Sequence, residues 1–230
     1  MTDPRYLYAV CRPWNAPIQV DLRGVAGAPP KELRHGSLVA VVSTVPARDF
    51  EGEALRAHLA DPQWRADLVR SHEAVVAALT TVTTPLPVRP GAVFPDDSAV
   101  RVLLAAEGDR LDRVLDRLAD RVEWEVTVTV AAADAAQVDE ADPVRELHDR
   151  LSTLADAARL DPPGRFGTPA GPVEPVLLRA AYLVPRGACE EFVEAVEHHR
   201  ADRGARRGPQ VSLSGPWAPY SFTPAPYGDD

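Results

Sequence analysis

Two short segments rich in proline and glycine constrain this chain more than any other part of it. The first reads LPVRPGAVF at residues 86–94, and the second reads GPWAPYSF at residues 215–222. Proline fixes φ and glycine permits turns, so both segments set the direction of the backbone beside β-branched or aromatic residues. Neither proline nor glycine supplies a nucleophile, an acid or a base. We therefore expect these segments to provide rigid shape and not chemistry.

The length and composition of the chain are those of a soluble globular protein. Its 230 residues are enough for one large domain or two small ones, and we expect two. The hydrophobic fraction is 45% and the charged fraction 26%. No apolar run approaches the roughly 18 to 20 residues that cross a bilayer, and the first residues lack the pattern of a secretory signal. We expect a cytoplasmic protein without membrane association.

The net charge and the cysteine content exclude further classes of protein. A formal net charge of −9 argues against a general nucleic-acid surface, because phosphate binding requires clustered cations. The basic segment RADRGARR at residues 200–207 is interpreted as a solvated helix end, and nucleic-acid binding through it is the lowest-ranked alternative. Cys11 and Cys189 are too few for a disulfide framework, so we expect reduced thiols.

Strand and helix patterns alternate along the first half of the chain. The run at residues 38–45 is almost continuously apolar, which predicts a strand buried on both faces. His72 lies on the apolar stripe of a helix that is interrupted at Asp61 and Pro62. Asp96 and Asp97 are candidate caps for a long amphipathic helix. The predicted strands are residues 6–11, 38–45 and 87–94, and the predicted helices are residues 53–60, 63–80 and 98–120.

The second half reads as strand, helix, strand, helix and strand. The predicted strands are residues 122–130, 176–184 and 210–214, and the predicted helices are residues 143–160 and 188–203. The segment 161–175 holds too many prolines and glycines for regular structure and is expected to be a loop. This order of elements favours an α+β sandwich of ferredoxin-like type.

Five segments in this order resemble the GvpF/GvpL family of gas vesicle proteins, over nearly the whole chain. They are YLYAVC at residues 6–11, SHEAVVAAL at 71–79, LPVRPGAVF at 86–94, VEWEV at 122–126 and GPWAPYSF at 215–222. The chain departs from the family pattern at Pro90, Ala92 and Ala218, where the pattern prefers Phe, Thr and Pro. Pro90 removes an aromatic ring and a backbone donor, which affects any role that the family gives to that position.

The resemblance implies a two-domain α+β fold and a function in gas vesicles. It implies a modified ferredoxin-like domain at residues 1–125 and an α+β, ferredoxin-like domain at residues 126–230 that ends in an irregular strap. It also implies a non-enzymatic accessory protein of gas vesicle formation, either a minor structural component or an assembly factor. The expected partners are the small hydrophobic shell protein and other accessory proteins, and no cofactor is expected.

The polar residues leave alternative interpretations open. His72 beside Glu73 is a catalytic candidate, but a core histidine is favoured because the residue lies on the apolar stripe and has no partner nucleophile. Arg89 is expected to pair with Glu123 or Glu125, or else to project from a partner-binding surface. The alternative function is an enzyme or small-molecule-binding module in which His72, Arg89 and Glu123 face a pocket. Neither HExxH nor paired CxxC occurs, so no metal site is predicted.

The favoured hypothesis places a partner-binding surface along the first proline segment and the C-terminal strap. Shell subunits that polymerise through apolar strands are aggregation-prone, and a soluble acidic partner can cover such a surface until it docks. Backbone pairing at a sheet edge and aromatic contacts are the expected modes of binding. The predicted partner-binding residues are Leu86, Val88, Arg89, Val93, Phe94, Trp217, Tyr220 and Phe222, and no catalytic, cofactor-binding or metal-binding residue is predicted.

Overall fold

The computed structural model describes residues 3–19, 21–131, 141–161, 165–166, 174–203 and 209–223. Their backbone groups into two compact units, one from Met1–Asp120 with Ala218–Asp230 and one from Arg121–Trp217. The division predicted between residues 125 and 126 differs from this grouping and stays a prediction about independently folding domains. Most of the predicted loop at 161–175 and the basic residues 204–207 lie outside the described residues.

The described part of the first unit contains one antiparallel sheet, sheet A, and four helices. Its strands are β1 (Arg5–Cys11), β2 (Lys31–His35), β3 (Leu38–Thr44), β4 (Leu86–Pro87) and β5 (Val93–Phe94). Its helices are α1 (Ala47–Phe50), α2 (Gly52–Ala60), α3 (Pro62–Thr80) and α4 (Asp97–Leu118), with 3-10 turns at Val25–Gly27 and Tyr220–Phe222. The strand order is β2-β3-β1-β4, and β5 also pairs with β1.

The two central strands of sheet A are buried on both faces. Every residue from Tyr6 to Cys11 in β1 is buried, and so is every residue of β3 except Thr44. Because strand side chains alternate between two faces, both faces of the sheet must be covered. α3 packs in one cluster with Tyr6 and Tyr8, while α4 contacts β1, β2 and β3. The predicted burial of the second apolar run is confirmed.

Aspartate caps fix where the two long helices of the first unit begin. The Asp61 carboxylate accepts hydrogen bonds from the backbone N–H groups of Gln63 and Trp64, so α3 starts at Pro62. Asp96 accepts from Ala99 N–H in the same way and starts α4. The apolar stripe predicted for α4 is confirmed, since its buried residues are Val100, Leu104, Leu111, Leu115 and Leu118.

The sequence analysis missed β2, which forms one edge of sheet A. Only Leu33 is buried in this strand, and its remaining residues are charged or polar, so no apolar run marks it. A two-residue turn at Gly36 and Ser37 connects β2 to β3, and Gly36 has a φ of 56°. A positive φ at this place is what glycine permits in a tight hairpin. The glycine turn is therefore the sequence signal for β2, which has no hydrophobic pattern of its own.

The continuous strand predicted at residues 87–94 is wrong. The segment forms two separate two-residue strands, β4 and β5, joined by residues 88–92, which we call the 88–92 loop. Pro90 has no N–H to donate to a ladder, and Gly91 has a φ of 102°, which a regular strand does not accommodate. Both short strands nevertheless pair with β1, so the segment leaves the sheet and returns to it.

The second unit has the connectivity of a ferredoxin-like fold. Its strands are β6 (Arg121–Thr129), β7 (Ala157–Leu160), β8 (Arg165–Phe166), β9 (Glu174–Pro185) and β10 (Gln210–Trp217). Its helices are α5 (Ala141–Thr153) and α6 (Cys189–Arg203), with a 3-10 turn at Arg186–Ala188. The strand order is β10-β6-β9-β7, all antiparallel, and β8 pairs with β9. Without β8 the chain order is βαββαβ, and the predicted α+β class is confirmed.

The helix predicted at residues 143–160 is wrong in its last third. α5 ends at Thr153, and residues Ala157–Leu160 form β7, which pairs with β9 along the edge of the sheet. Leu154 and Ala158 continue the helical spacing by coincidence, and Leu154 still packs against the core below α5. The final strand predicted at 210–214 extends to Trp217, so the first part of the expected irregular strap is regular structure.

We expect opposite effects from alanine at two glycines of the first unit. A Cβ at Gly24 would lie 2.1 Å from the Tyr8 hydroxyl oxygen, whereas at Gly108 in α4 it would meet nothing within 4 Å. Gly24→Ala should lower the free energy of unfolding by about 1–3 kcal/mol. Gly108→Ala should raise it by roughly 0.5–1 kcal/mol through helix propensity. Urea unfolding of both variants tests this packing, and a Gly24→Ala protein as stable as the wild type would contradict it.

Candidate functional site

The 88–92 loop is held at both ends on the central strand β1. Val88 N–H donates to the Tyr8 carbonyl at 3.0 Å, and Leu7 N–H donates to the Ala92 carbonyl at 2.9 Å. Among the described residues, neither β4 nor β5 pairs with a second strand. The loop is thus an edge element of sheet A whose base is fixed by main-chain hydrogen bonds.

A tyrosine of β1 supports the loop from below. The Tyr6 hydroxyl accepts a hydrogen bond from Gly91 N–H at 3.0 Å and lies 3.0 Å from His72 Nδ1. Tyr6 and His72 are both fully buried, and their ring centroids are 5.7 Å apart. Desolvation raises the pKa of the Tyr6 phenol well above its usual range, so the hydroxyl keeps its proton. It therefore acts as both acceptor and donor.

His72 is a neutral core histidine. Burial lowers its pKa from 6.5 to about 4, and the nearby Val88 backbone offsets this only in part. Nδ1 is bonded to Tyr6, which leaves Nε2 for the Val88 side, but Nε2 makes no well-formed hydrogen bond. Glu73, the other half of the tempting catalytic pair, is exposed. The interpretation of His72 as a core residue is confirmed.

The hydroxyl group of Tyr8, two residues further along β1, also forms two hydrogen bonds. It donates to Ser43 Oγ at 2.9 Å and accepts from Val25 N–H at 2.8 Å. Tyr8 is as buried as Tyr6 and lies two residues along the same strand. The two hydroxyl groups therefore tie two different irregular segments to β1, Tyr6 the 88–92 loop and Tyr8 the turn at Val25.

The outer side of the loop is accessible and carries a cation. Arg89 and Pro90 are exposed, and Val88, Val93 and Phe94 are half-buried. Arg89 forms no hydrogen bond or ion pair within the described part of the first unit. Its expected pairing with Glu123 or Glu125 of the second unit stays a prediction, and Glu125 is paired with Arg179 across β6 and β9. Leu86 is only 6% exposed and supports the loop from inside.

The second motif, GPWAPYSF, is divided between the two units. Gly215 lies against Trp124, where a Cβ would stand 2.8 Å from the indole ring, and its φ is 137°. Trp217 ends β10, is 49% exposed and donates to Ser214 Oγ at 3.3 Å. These residues belong to the second unit.

The rest of the motif belongs to the first unit. Tyr220 packs against the cluster that contains Tyr6 and Tyr8, 6.4 Å from the His72 ring between centroids. Phe222 is 7% exposed, and its carbonyl accepts from Arg117 at 2.6 Å. Tyr220 and Phe222 thus help to build the core of the first unit.

The described residues offer little reactive chemistry. They contain no group of three His, Cys, Asp or Glu side chains arranged to hold a metal ion. Burial raises the pKa of the Cys11 thiol far above its usual range, and the Cys189 sulfur accepts from Trp124 Nε1 at 3.5 Å. His72 and Glu123, two of the three residues of the alternative pocket, are buried rather than lining an open cleft. No helix in the described part of the chain is long and apolar enough to cross a bilayer.

Sequence reasoning did not identify Tyr6 as a residue of this site. Its segment, YLYAVC, was interpreted only as an apolar strand. The available signal was the alternation of Tyr6 and Tyr8, which puts two hydroxyl groups on one face of a buried strand. A buried hydroxyl requires a partner, so this pattern indicates polar contacts inside the core.

We expect the His72 ring to make the protein less stable in mild acid. The unfolded chain takes up a proton on this ring below pH 6.5, but the folded protein does so only near its lowered pKa of about 4. Stability should therefore fall as the pH drops from 6.5 to 4, by about 3 kcal/mol at most. Urea unfolding across this range should show a weaker decline for His72→Gln. His35→Gln, which changes an exposed histidine, should retain the wild-type decline; equal slopes in all three proteins would refute the assignment.

Comparison with known proteins identifies the family. The chain matches the family described as "Gas vesicle synthesis protein GvpL/GvpF" over residues 4–144 and 131–224. It is 42% identical over 250 aligned residues to gas vesicle protein L of Streptomyces sp. (strain CB03234), with 95% of this chain and 92% of that protein covered.

Two crystal structures have the same fold. GvpF from Anabaena sp. PCC7120 matches with a TM-score of 0.75 and 19% identity, covering 98% of this chain and 100% of that one. GvpF from Microcystis aeruginosa matches with a TM-score of 0.71 and 19% identity, covering 97% and 100%. At this identity the two structures support the fold alone, while the sequence matches show that the chain belongs to the GvpL/GvpF family of gas vesicle synthesis proteins.

Proposed function

We propose that this protein is an accessory protein of gas vesicle formation that binds the small hydrophobic shell protein through the 88–92 loop. Family membership supports an accessory role in gas vesicles, and the family is not a known enzyme family. The site of action would be the cytoplasm and the growing vesicle. The observation that carries the proposed binding mode is an edge loop fixed at its base and exposed at its tip.

The rigidity of the loop supports this proposal. Pro87 and Pro90 restrict φ on either side of Arg89, and hydrogen bonds to β1 hold both ends. A segment already held in one conformation loses little entropy when it binds a partner. The two prolines therefore favour docking over simple exposure of a flexible loop.

The chemistry of the tip supports it as well. The Arg89 guanidinium has no partner within the described part of the first unit, so it is available to a carboxylate or a row of carbonyl groups on a partner. Val88 and Phe94 add half-buried apolar side chains on either side of it in the sequence, and Val93 packs partly against the core of the first unit. Among the described residues β5 pairs with β1 alone, so its other side offers main-chain groups to a strand-rich partner, as in β-augmentation, whereas both residues of β4 are buried.

The eight residues predicted to bind a partner take different parts in this proposal. Val88, Arg89, Val93 and Phe94 are assigned to contact, because they are exposed or half-buried. Leu86, Tyr220 and Phe222 are assigned to support of the first unit. Trp217 offers an exposed ring on the second unit and is a separate candidate contact for a vesicle partner.

Charge reversal at the loop tip tests the proposed contact. Arg89→Glu should weaken binding of the full chain to the shell protein roughly tenfold or more, since central arginines are frequent hot spots. Arg150→Glu on α5 is the matched control, because it reverses an exposed arginine of the second unit and changes net charge equally. Affinities are measured by co-purification and by titration with the shell protein held in mild detergent.

Two results would contradict the proposal in different ways. If the wild-type chain does not associate with the shell protein, alone or with the other accessory proteins, the proposed function is wrong. If the wild-type chain binds but Arg89→Glu and Arg150→Glu behave alike, the function stands and the 88–92 loop is not the contact.

A further inference from the structure

The 88–92 loop is tied at Gly91 to two buried polar side chains, Tyr6 and His72. Gly91 N–H donates to the Tyr6 hydroxyl, which contacts His72 Nδ1. Nε2, the other ring nitrogen of His72, is buried without a hydrogen bond to a described residue. Two buried side chains, one from β1 and one from α3, therefore support Gly91 from inside the unit.

Proton counting fixes the direction of these hydrogen bonds. The Tyr6 oxygen accepts from Gly91 N–H and has one proton of its own to donate. His72 Nδ1 is the acceptor at hydrogen-bond distance, so Nδ1 carries no proton. A neutral imidazole then has its proton on Nε2. Nε2 is buried and makes no hydrogen bond with a described residue.

We propose that Tyr6 and His72 are positioning residues that hold the 88–92 loop in its binding conformation. The first part of this inference concerns the loop alone: the hydrogen bonds among Gly91, Tyr6 and His72, which we call the clamp, hold its conformation. The second part, that this conformation binds the shell protein, rests on the proposed function. Pro90 and Gly91 remove regular strand pairing from this stretch, so the loop backbone needs another partner, and the Tyr6 hydroxyl provides it.

A variant of Tyr8 distinguishes a specific effect on the loop from a general loss of stability. Both tyrosines are fully buried in β1, and each hydroxyl has one backbone N–H donor and one side-chain partner. Removal of the Tyr6 hydroxyl takes a partner from Gly91 N–H and His72 Nδ1, and removal of the Tyr8 hydroxyl takes one from Val25 N–H, while Ser43 Oγ keeps its bonds to the Ala28 and Pro29 carbonyls. The loss of global stability is therefore measured for each variant and subtracted. Only Tyr6 bonds to the loop through its hydroxyl. Tyr8→Phe is therefore the matched control for Tyr6→Phe.

The experiment measures amide exchange and binding in the same full-length proteins. Exchange of the Gly91 amide should accelerate about fivefold to tenfold in Tyr6→Phe and less than twofold in Tyr8→Phe, both corrected for the change in global stability. Affinity for the shell protein should fall several-fold in Tyr6→Phe and stay near the wild-type value in Tyr8→Phe. In the wild type, long-range nitrogen–proton NMR of His72 should show a neutral ring protonated on Nε2.

Each alternative result has a definite meaning. Equal Gly91 exchange in the two variants, or an Nδ1-protonated His72 ring, would overturn the clamp. Faster Gly91 exchange with unchanged affinity would overturn the role of the clamp in binding. A wild-type chain that fails to bind the shell protein would refute the proposed function, and the exchange and NMR results would still decide whether the clamp exists.

Discussion

Strand β1 has to pair the hydroxyl groups of two tyrosines inside a core that excludes water. Tyr6 and Tyr8 are fully buried on a strand that is itself buried on both faces. An unpaired buried hydroxyl costs about 1–3 kcal/mol, so each ring forces a polar partner into the core. Tyr6 recruits His72 and Gly91, and Tyr8 recruits Ser43 and Val25. These pairs fix the irregular segments at Val25 and Gly91 to β1.

Packing requirements also explain why the motif GPWAPYSF is divided between the two units. Gly215 is required where the backbone passes close to Trp124, because any side chain there would meet the ring or the Glu123 carbonyl. Its neighbours complete β10 of the second unit, whereas the next residues contribute Ala218, Tyr220 and Phe222 to the first. One motif thus serves two cores. Its composition reflects two separate packing requirements and not a single strap.

How much of this was predictable depends on whether a residue's partner is local. The cap of α4 and the stripe from Val100 to Leu118 follow from neighbours within a few residues, and the sequence indicates them. β2 pairs with the next strand, β3, and β7 pairs with the more distant β9, but the exposed pattern of β2 and the helix-like pattern of β7 conceal both strands. The helical spacing of Leu154 and Ala158 is a case in which a local pattern predicts the wrong element.

The candidate site divides in the same way. The burial of His72 follows from the apolar stripe of its helix, whereas the composition of residues 87–94 predicts one strand and Pro90 with Gly91 divides it into β4 and β5. The contact between Tyr6 and Gly91 joins residues 85 positions apart, and no periodicity reports it. The exposure of Arg89 at the loop tip is likewise not reported by any periodicity.

The edges of the two sheets indicate why pairing with a partner strand would be confined to one place. β2 exposes Lys31, Glu32 and Arg34, charges that disfavour pairing with another strand. In the second unit, Arg200 donates through Nε and Nη2 to the Val211 carbonyl of the edge strand β10. β7, the other edge strand, is only four residues long.

A protein proposed to bind an aggregation-prone, strand-rich subunit has to avoid pairing with itself. A long, apolar sheet edge would pair equally well with the shell protein and with a second copy of this chain. The 88–92 loop offers few main-chain groups, in one conformation, beside a cation that repels the same cation of a second copy. An edge of this kind favours a partner that supplies the complementary charge, and it disfavours open-ended polymerisation of the accessory protein.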